Sequence, residues 1–263
     1  MRALKCSRVE VEAKINAAVP TWLNRAANQT RANLADGRII SDSPDWSKIK
    51  AILLEEQHGL CAYCETKLSL EQSEIDHFRP KKGKETSRSD YQNYNNSAGY
   101  YWLSHDIGNY CVSCHDCNSI HKKTKFPIRG NRAPVGTVPE LMGSEEPALI
   151  NPLWDWEDDP AAYISFFGPT IHSQGSGNHK QRAQIIVDLF ALDKREDLID
   201  QRMVQISFWY WELRANPASR PRPGSEHISC VSAFLALWQS NRAQAEMIGD
   251  LAYQYVRNQN VAE

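Results

Sequence analysis

Apolar residues recur at helical spacing near the start of the chain. The positions are Ile49, Ile52, Leu53 and Leu60. The pair Ser43-Pro44 is typical of a helix N-terminus, and Gly59 stands where a helix would end. We predict an N-terminal helical segment over residues 1–60.

A second helical pattern follows a stretch rich in proline and glycine. Pro134, Gly136, Pro139, Gly143 and Pro147 predict a loop or linker over 131–150. Beyond it, the apolar run 183–192 and the segment 198–213 have helical rhythm, and three prolines interrupt 216–224. A last helix is expected from Ser225, a suitable N-cap, towards Arg257. The interpretation for 131–263 is a mainly helical C-terminal region.

Residues 61–130 have little periodicity and are rich in Cys, His, Asn and Tyr. A small domain that is held together by metal rather than by an apolar core has this character. Composition is otherwise ordinary, with 41% hydrophobic and 24% charged residues. Neither a signal peptide nor a membrane span is predicted, so a cytoplasmic protein with thiols or metal-bound cysteines is expected.

The distribution of charge changes the picture that the net charge of −2 gives. From residue 76 to 132 the chain has ten Lys or Arg against five Asp or Glu, a net of +5, while the remainder carries −7. A locally basic segment on an acidic protein indicates a surface that faces phosphates.

Two CxxC pairs accompany this basic segment, one before it and one within it. They are Cys61-Ala-Tyr-Cys64 and Cys114-His-Asp-Cys117. Two such pairs can complete a tetrahedral Cys₄ zinc site, which has no open position and is therefore structural. A redox dithiol is the alternative. Cys6, Cys111 and Cys230 have no partner at such spacing and are interpreted as buried small residues.

The segment Glu74-Ile-Asp76-His77-Phe-Arg79-Pro80 alternates apolar and polar residues as a strand does. Phosphodiester hydrolysis needs a base for water and a hard cation. Asp76 can bind Mg²⁺ or Mn²⁺, and His77 can act as the base. An Asp-His dipeptide alone would more often be structural.

The residues around the second pair of cysteines include further candidates for the cation site. Asn118 and His121 lie three apart after Cys117, so either could complete the cation site opposite Asp76. Asn109 would hydrogen-bond backbone across a hairpin and hold the loop that carries His77; an ordinary turn asparagine is the alternative. His105 and His115 fit no ligand spacing and are interpreted as surface or capping residues.

Basic and aromatic residues accompany both halves of this site. We predict phosphate binding by Arg79, Lys81, Lys82, Lys84, Lys122, Lys123 and Lys125. The candidates for stacking on bases, or for packing under the hairpin, are Tyr91, Tyr94, Tyr100, Tyr101 and Trp102.

The string CAYC…EIDHFRPK…GNYCVSCHDCNSIHKKTKFP resembles the HNH, or ββα-metal, endonucleases. The order of its parts is the same: a CxxC pair, an Asp-His dipeptide, an Asn, a second CxxC pair and a last metal ligand. The resemblance implies that His77 is the base, Asp76 and Asn118 bind the catalytic Mg²⁺ or Mn²⁺, and Asn109 orients the site. Many members have His where this chain has Asn118, so His121 remains a rival ligand. The implied fold class is α+β, a small zinc-stapled ββα-metal module between helical segments.

Several segments outside that module resemble the HNH nucleases of bacterial anti-phage systems of the Septu and retron types. They are 1–5, 54–64, 149–152, 158–160, 164–166 and 189–202. The resemblance implies a DNA-cleaving effector that works beside an SMC-like or ABC-like ATPase. An RNase that cleaves tRNA and a zinc-ribbon module without catalysis are the alternatives.

The region after about residue 150 is predicted to dock the partner protein. It opens with the acidic residues Asp155, Glu157, Asp158 and Asp159, which would repel phosphates. It also has many large aromatics, namely Phe208, Trp209, Tyr210, Trp211 and Trp238. Such residues are enriched at interfaces, although they could equally fill a local core.

Overall fold

The computed structural model describes residues 1–41, 45–83, 95–96 and 99–259, with backbone alone for 95–96. The fold mixes helices and strands in two compact units. The N-terminal unit comprises residues 3–62 and 68–159, and the C-terminal unit comprises 1–2, 63–67 and 160–263. No helix within the described ranges combines the length and apolar character that crossing a bilayer requires.

The N-terminal unit begins with three helices, which are α1 (Arg8–Ala18), α2 (Trp22–Asp36) and α3 (Lys50–Glu56). Their inward faces carry Val11, Ile15, Trp22 and Leu53, all fully buried. α3 ends before His58 and Gly59, which both have positive φ. The predicted helix start at Ser43-Pro44 lies outside the described residues.

Two small antiparallel sheets complete this unit. Strand β1 (Ser73–His77) pairs with β3 (Tyr110–Cys114), and β2 (Asn95–Asn96) pairs with β4 (Pro127–Ile128). A π-helix over Asp116–Lys122 follows β3 directly, and the amide of Lys123 donates to the carbonyl of Asn118, five residues earlier (2.7 Å). The sheet β1–β3 and this π-helix carry most of the candidate site.

The stretch predicted as a linker, 131–150, packs into the N-terminal unit, whose boundary falls at Asp159. The reason is Glu145, which is completely buried and accepts hydrogen bonds from Arg79 Nε (2.8 Å), Tyr100 Oη (2.9 Å) and the amide of Ala133 (2.9 Å). Asn151 donates through Nδ2 to the carbonyl of Tyr110 (3.1 Å). These polar contacts bind the loop to the sheet that carries the site.

The C-terminal unit consists of an antiparallel hairpin and four helices. They are β5 (Ile164–Phe167), β6 (Thr170–Ser173), α4 (Gly177–Leu189), α5 (Glu196–Ala215), α6 (Ile228–Ser240) and α7 (Arg242–Gln259). The single final helix predicted from Ser225 is thus two helices, because the backbone of Asn241 leaves the helical conformation (φ −145°, ψ 82°). The first begins at Ile228 rather than directly after Ser225, because the backbone of His227 is left-handed (φ 48°, ψ 39°) and not helical.

The aromatic residues of this unit divide between core and surface. Trp209, Tyr210 and Trp238 are buried in the core between α5, α6 and α7, whereas Phe208 and Trp211 are exposed. Of the cysteines predicted to be buried without partners, Cys111 and Cys230 are buried and Cys6 is half-buried.

Candidate active site and metal centre

The two CxxC pairs come together. Cys61 and Cys64 lie in the turn after Leu60, Cys114 ends β3, and Cys117 belongs to the π-helix. The four Sγ atoms lie within 4.8 Å of one another, and those of Cys61 and Cys114 are 3.8 Å apart. A tetrahedron with Zn–S bonds of about 2.3 Å has edges of about 3.8 Å, so the four sulfurs can hold one ion.

Backbone amides support the sulfurs. The amide of Cys114 donates to Sγ of Cys61 (3.3 Å), and that of Cys117 donates to Sγ of Cys114 (3.4 Å). Such donors stabilise thiolates, the form that binds metal. A set of four cysteines at this spacing could hold one metal ion, and four thiolates are the ligands of many structural zinc sites.

The pairing of β1 with β3 sets the directions of the catalytic candidates. Asp76 stands opposite Cys111, and His77 stands opposite Tyr110. Successive side chains of a strand point to opposite faces, so Asp76 and His77 diverge. Asp76 is buried: its Oδ1 accepts from Nζ of Lys122 (2.9 Å), and its Oδ2 lies 3.9 Å from Sγ of Cys111.

His77 occupies an aromatic pocket on the other face of the strand. Its Nε2 lies 3.0 Å from the carbonyl oxygen of Ser104, which also accepts from the hydroxyl of Tyr110 (2.6 Å). The ring of Trp46 meets the imidazole edge to face at 5.0 Å. Burial, with a smaller effect of the Lys81 ammonium, lowers the pKa of His77 to about 3. A carbonyl only accepts, so the neutral ring carries its proton on Nε2 and leaves Nδ1 as an acceptor.

Asn109 is completely buried and spans the turn after β1. Its Oδ1 accepts from the amide of Arg79 (2.8 Å), and its Nδ2 donates to the carbonyl of Arg79 (2.9 Å). Its own carbonyl accepts from the amide of Phe78 (2.8 Å). Three hydrogen bonds therefore fix the backbone that follows His77.

Asn118 and Glu74 form a second polar cluster, on the face of β1 that also carries Asp76. Nδ2 of Asn118 and Oγ of Ser119 each donate to Oε2 of Glu74 (2.9 Å), and Nδ1 of His115 lies 2.7 Å from Oε1. Burial alone would raise the pKa of Glu74, but the hydrogen bonds from these side chains lower it.

The oxygens of Asp76 and Asn118 suit a hard divalent cation. Mg²⁺ commonly binds through one or two protein groups and keeps several waters, so a sparse donor set is compatible with it. His121, the rival ligand, is partly exposed on the last turn of the π-helix.

Two residues of the predicted phosphate-binding set, Arg79 and Lys122, are buried. Arg79 is 2% exposed and paired with Glu145, and Lys122 is completely buried on Asp76 and on the carbonyl of His77 (2.9 Å). Neither ammonium nor guanidinium can reach a phosphate from there. Of the others, Lys82 and Lys123 are exposed and Lys81 and Lys125 are partly so. Lys84 lies outside the described residues.

The aromatic candidates and the two unassigned histidines also differ from expectation. Tyr100 and Trp102 are buried, which agrees with packing, while Tyr91 and Tyr94 lie outside the described residues. His105 is not on the surface: it is 5% exposed and lies against Ser104 and Trp46. His115 is exposed, at the start of the π-helix.

Sequence reasoning missed Trp46, Ser104 and Glu74. Trp46 and Ser104 are distant from His77 in sequence, and no local pattern indicates that they enclose it. Glu74 carried a usable signal, because residues i and i+2 of a strand share a face, so Glu74 and Asp76 had to project together.

Comparison with known proteins adds one similarity. Over 149 residues, 56% of this chain, it is 36% identical to the Septu protein PtuB of Bacillus mycoides (strain KBAB4). The match covers 48% of that protein, so the chain spans about half the length of the curated relative. No family model and no solved structure matches the chain. In sequence, then, the chain resembles PtuB, a protein of the Septu system.

Proposed function

We propose that this protein is a metal-dependent endonuclease of the HNH type, which hydrolyses phosphodiester bonds of nucleic acid. The observation that carries the proposal is the pairing of β1 with β3. It gathers Asp76, His77 and Asn109 at one end of a two-stranded sheet, with Asn118 on the helix that follows. Each of these residue types has a function in metal-assisted hydrolysis.

His77 is the proposed general base. Its Nε2–H donates to the carbonyl of Ser104, so Nδ1 is the nitrogen that would accept a proton from a water whose acidity the cation would raise. Asn109 fixes the backbone after His77 through Arg79 and so limits movement of the imidazole. Positioning of this kind matters because a base must come within hydrogen-bond distance of the proton that it removes.

Asp76 and Asn118 are the proposed ligands of Mg²⁺ or Mn²⁺, with His121 as the rival to Asn118. When bound, the cation would stabilise negative charge on the phosphate and on the leaving oxygen. Lys122 donates to Oδ1 of Asp76, so a cation would bind through Oδ2, which lies 3.9 Å from Sγ of Cys111. The four cysteines would hold a structural zinc.

The proposed contacts with the phosphate backbone are Lys81, Lys82, Lys123 and Lys125. These lysines flank the turn after β1 and the end of the π-helix, next to both halves of the site. DNA is the preferred substrate, as expected of an anti-phage effector that resembles PtuB.

His77→Ala tests the proposal. Loss of a general base typically slows a reaction by roughly 10²–10⁴-fold, and binding of nucleic acid should remain. Double-stranded DNA, single-stranded DNA and tRNA are incubated with the protein and Mg²⁺ or Mn²⁺, with and without a candidate ATPase of the PtuA type. His172→Ala, an exposed histidine of β6, is the matched control and should cleave normally.

Two results would contradict the proposal. Undiminished cleavage by His77→Ala would remove His77 from the mechanism. Binding of nucleic acid without cleavage by the wild-type chain, under all these conditions, would make the protein a zinc-ribbon binding module. Cleavage of tRNA alone would leave the chemistry in place and change the substrate to RNA.

The proposed cellular role is defence against phage, together with an SMC-like or ABC-like ATPase of the PtuA type. Support comes from the similarity to PtuB and from an apolar groove between α5 and α7. Phe208 (57% exposed), Trp211 (46%) and Tyr253 (37%) line the groove. Large exposed aromatics are frequent where proteins bind each other.

Phe208→Asp should abolish co-purification with a co-expressed ATPase of the PtuA type, because a carboxylate would have to be buried at the contact. Val9→Asp is the matched control, since Val9 is also exposed (74%) but lies on α1 of the N-terminal unit. Loss of binding in Val9→Asp, with normal binding in Phe208→Asp, would place the docking surface on the other unit.

A further inference from the structure

Glu74 is held by three polar side chains of the segment that follows β3. Oε2 accepts from Asn118 Nδ2 and Ser119 Oγ, and Oε1 lies against His115 Nδ1. The side chain of Glu74 is only one-third exposed (33%). A carboxylate fixed by three neighbours is an anchor for the side chains that surround it.

The hydrogen bond with Glu74 determines which atom of the Asn118 amide faces away from Glu74. A carboxylate can only accept hydrogen bonds, and an asparagine amide donates only through Nδ2. Asn118 must therefore turn Nδ2 towards Glu74, and Oδ1 must point away from it. A hard cation binds an asparagine through Oδ1 and never through Nδ2.

We infer that Glu74 is a positioning residue, which holds Asn118 with Oδ1 turned towards the cation that Asp76 and Asn118 are proposed to bind. The inference rests on the proposed function and deepens it. In this role Glu74 contacts Asn118 and not the cation. Ser119 and His115 contribute by fixing the carboxylate in its place.

Glu74→Ala removes the acceptor and lets the amide of Asn118 rotate. Loss of such an outer partner typically weakens metal binding by roughly ten- to hundredfold. Mn²⁺ binding to the zinc-loaded full chain is followed by electron paramagnetic resonance, which needs no substrate. Glu74→Gln should recover most of the affinity, because an amide oxygen can still accept from Asn118.

Two further variants separate positioning from a general effect of charge. Ser119→Ala removes another donor to the same oxygen and leaves Asn118 in place, so Mn²⁺ affinity should change by less than about threefold. In an Asn118→Ala background, Glu74→Ala should have no further effect, because residues that act through one another are not additive. If the carboxylate of Glu74 only attracted the cation by its charge, its removal would weaken Mn²⁺ binding equally in both backgrounds.

The outcomes distinguish this inference from the proposed function. If the wild-type chain neither binds Mn²⁺ nor cleaves, the cation site and this inference both fail. If it does both, an unchanged affinity in Glu74→Ala, or an equal loss in the Asn118→Ala background, overturns the inference alone. Zinc content and thermal unfolding show that each variant is folded; Glu74→Met replaces Glu74→Ala should that variant lose zinc.

Discussion

Glu145 and Glu146 are neighbours in sequence, and each pairs with an arginine, but their surroundings are opposite. Glu145 is completely buried with Arg79, which is 2% exposed. Glu146 is 48% exposed and pairs with Arg129, which is 32% exposed. They form a natural matched pair for measuring how much burial adds to an ion pair next to the candidate site.

Glu145→Gln removes the charge and keeps the shape. The guanidinium of Arg79 would then be buried without compensation, which typically costs about 3–5 kcal/mol. The hydroxyl of Tyr100 and the amide of Ala133 would share one amide oxygen in place of a carboxylate. Glu146→Gln should cost no more than about 1 kcal/mol, the usual value of an exposed pair.

Urea unfolding of the full chain, followed by fluorescence and by circular dichroism, measures both free energies of unfolding. A third variant, Arg79→Met with Glu145→Gln, should be more stable than Glu145→Gln alone, because it removes the uncompensated charge. Equal destabilisation by Glu145→Gln and Glu146→Gln, or no recovery in the double variant, would refute the reasoning.

Three more predictions follow from the described contacts. Cys114→Ser should lose the one zinc per chain and unfold the candidate site, whereas Cys6→Ser, outside the cluster, should retain zinc; metal analysis after dialysis against a chelator decides. Gly249→Ala should destabilise the C-terminal unit by about 1–3 kcal/mol, because an added Cβ would lie 2.2 Å from the ring of Tyr210. Gly143→Ala, with open space around it, should leave the free energy of unfolding nearly unchanged in the same urea experiment. Equal effects of the two variants would contradict the close contact of Gly249 with Tyr210. Lys122→Met should cost about 3–5 kcal/mol in urea unfolding, because the buried carboxylate of Asp76 would lose the ammonium that it pairs with; an unchanged free energy of unfolding would contradict this.

What the sequence could predict is set by how local each feature is. The two CxxC pairs and the alternation around Asp76 depend on neighbouring residues, and both could be described before any fold was known. The partners of Arg79 and His77 could not. Glu145 lies 66 residues from Arg79, and Ser104 lies 27 residues from His77. Exposed and buried lysines or arginines have the same local pattern, so two of them were predicted to bind phosphate although they are buried.

The helix after Cys117 illustrates the same limit and bears on the second cation ligand. The sequence pattern predicts an α-helix, in which the residues three and four positions after Asn118 both lie on the same side of the helix as Asn118. The chain instead winds as a π-helix, with the hydrogen bond from Lys123 to Asn118 spanning five residues. In this wider turn the residue four positions on, Lys122, faces β1 together with Asn118 and holds Asp76. The winding thus gives Asn118 and Lys122 the shared face that the sequence assigned to Asn118 and His121. An ammonium cannot bind a cation, so of Asn118 and Lys122 only Asn118 could supply an oxygen to the proposed cation, with His121 as its rival.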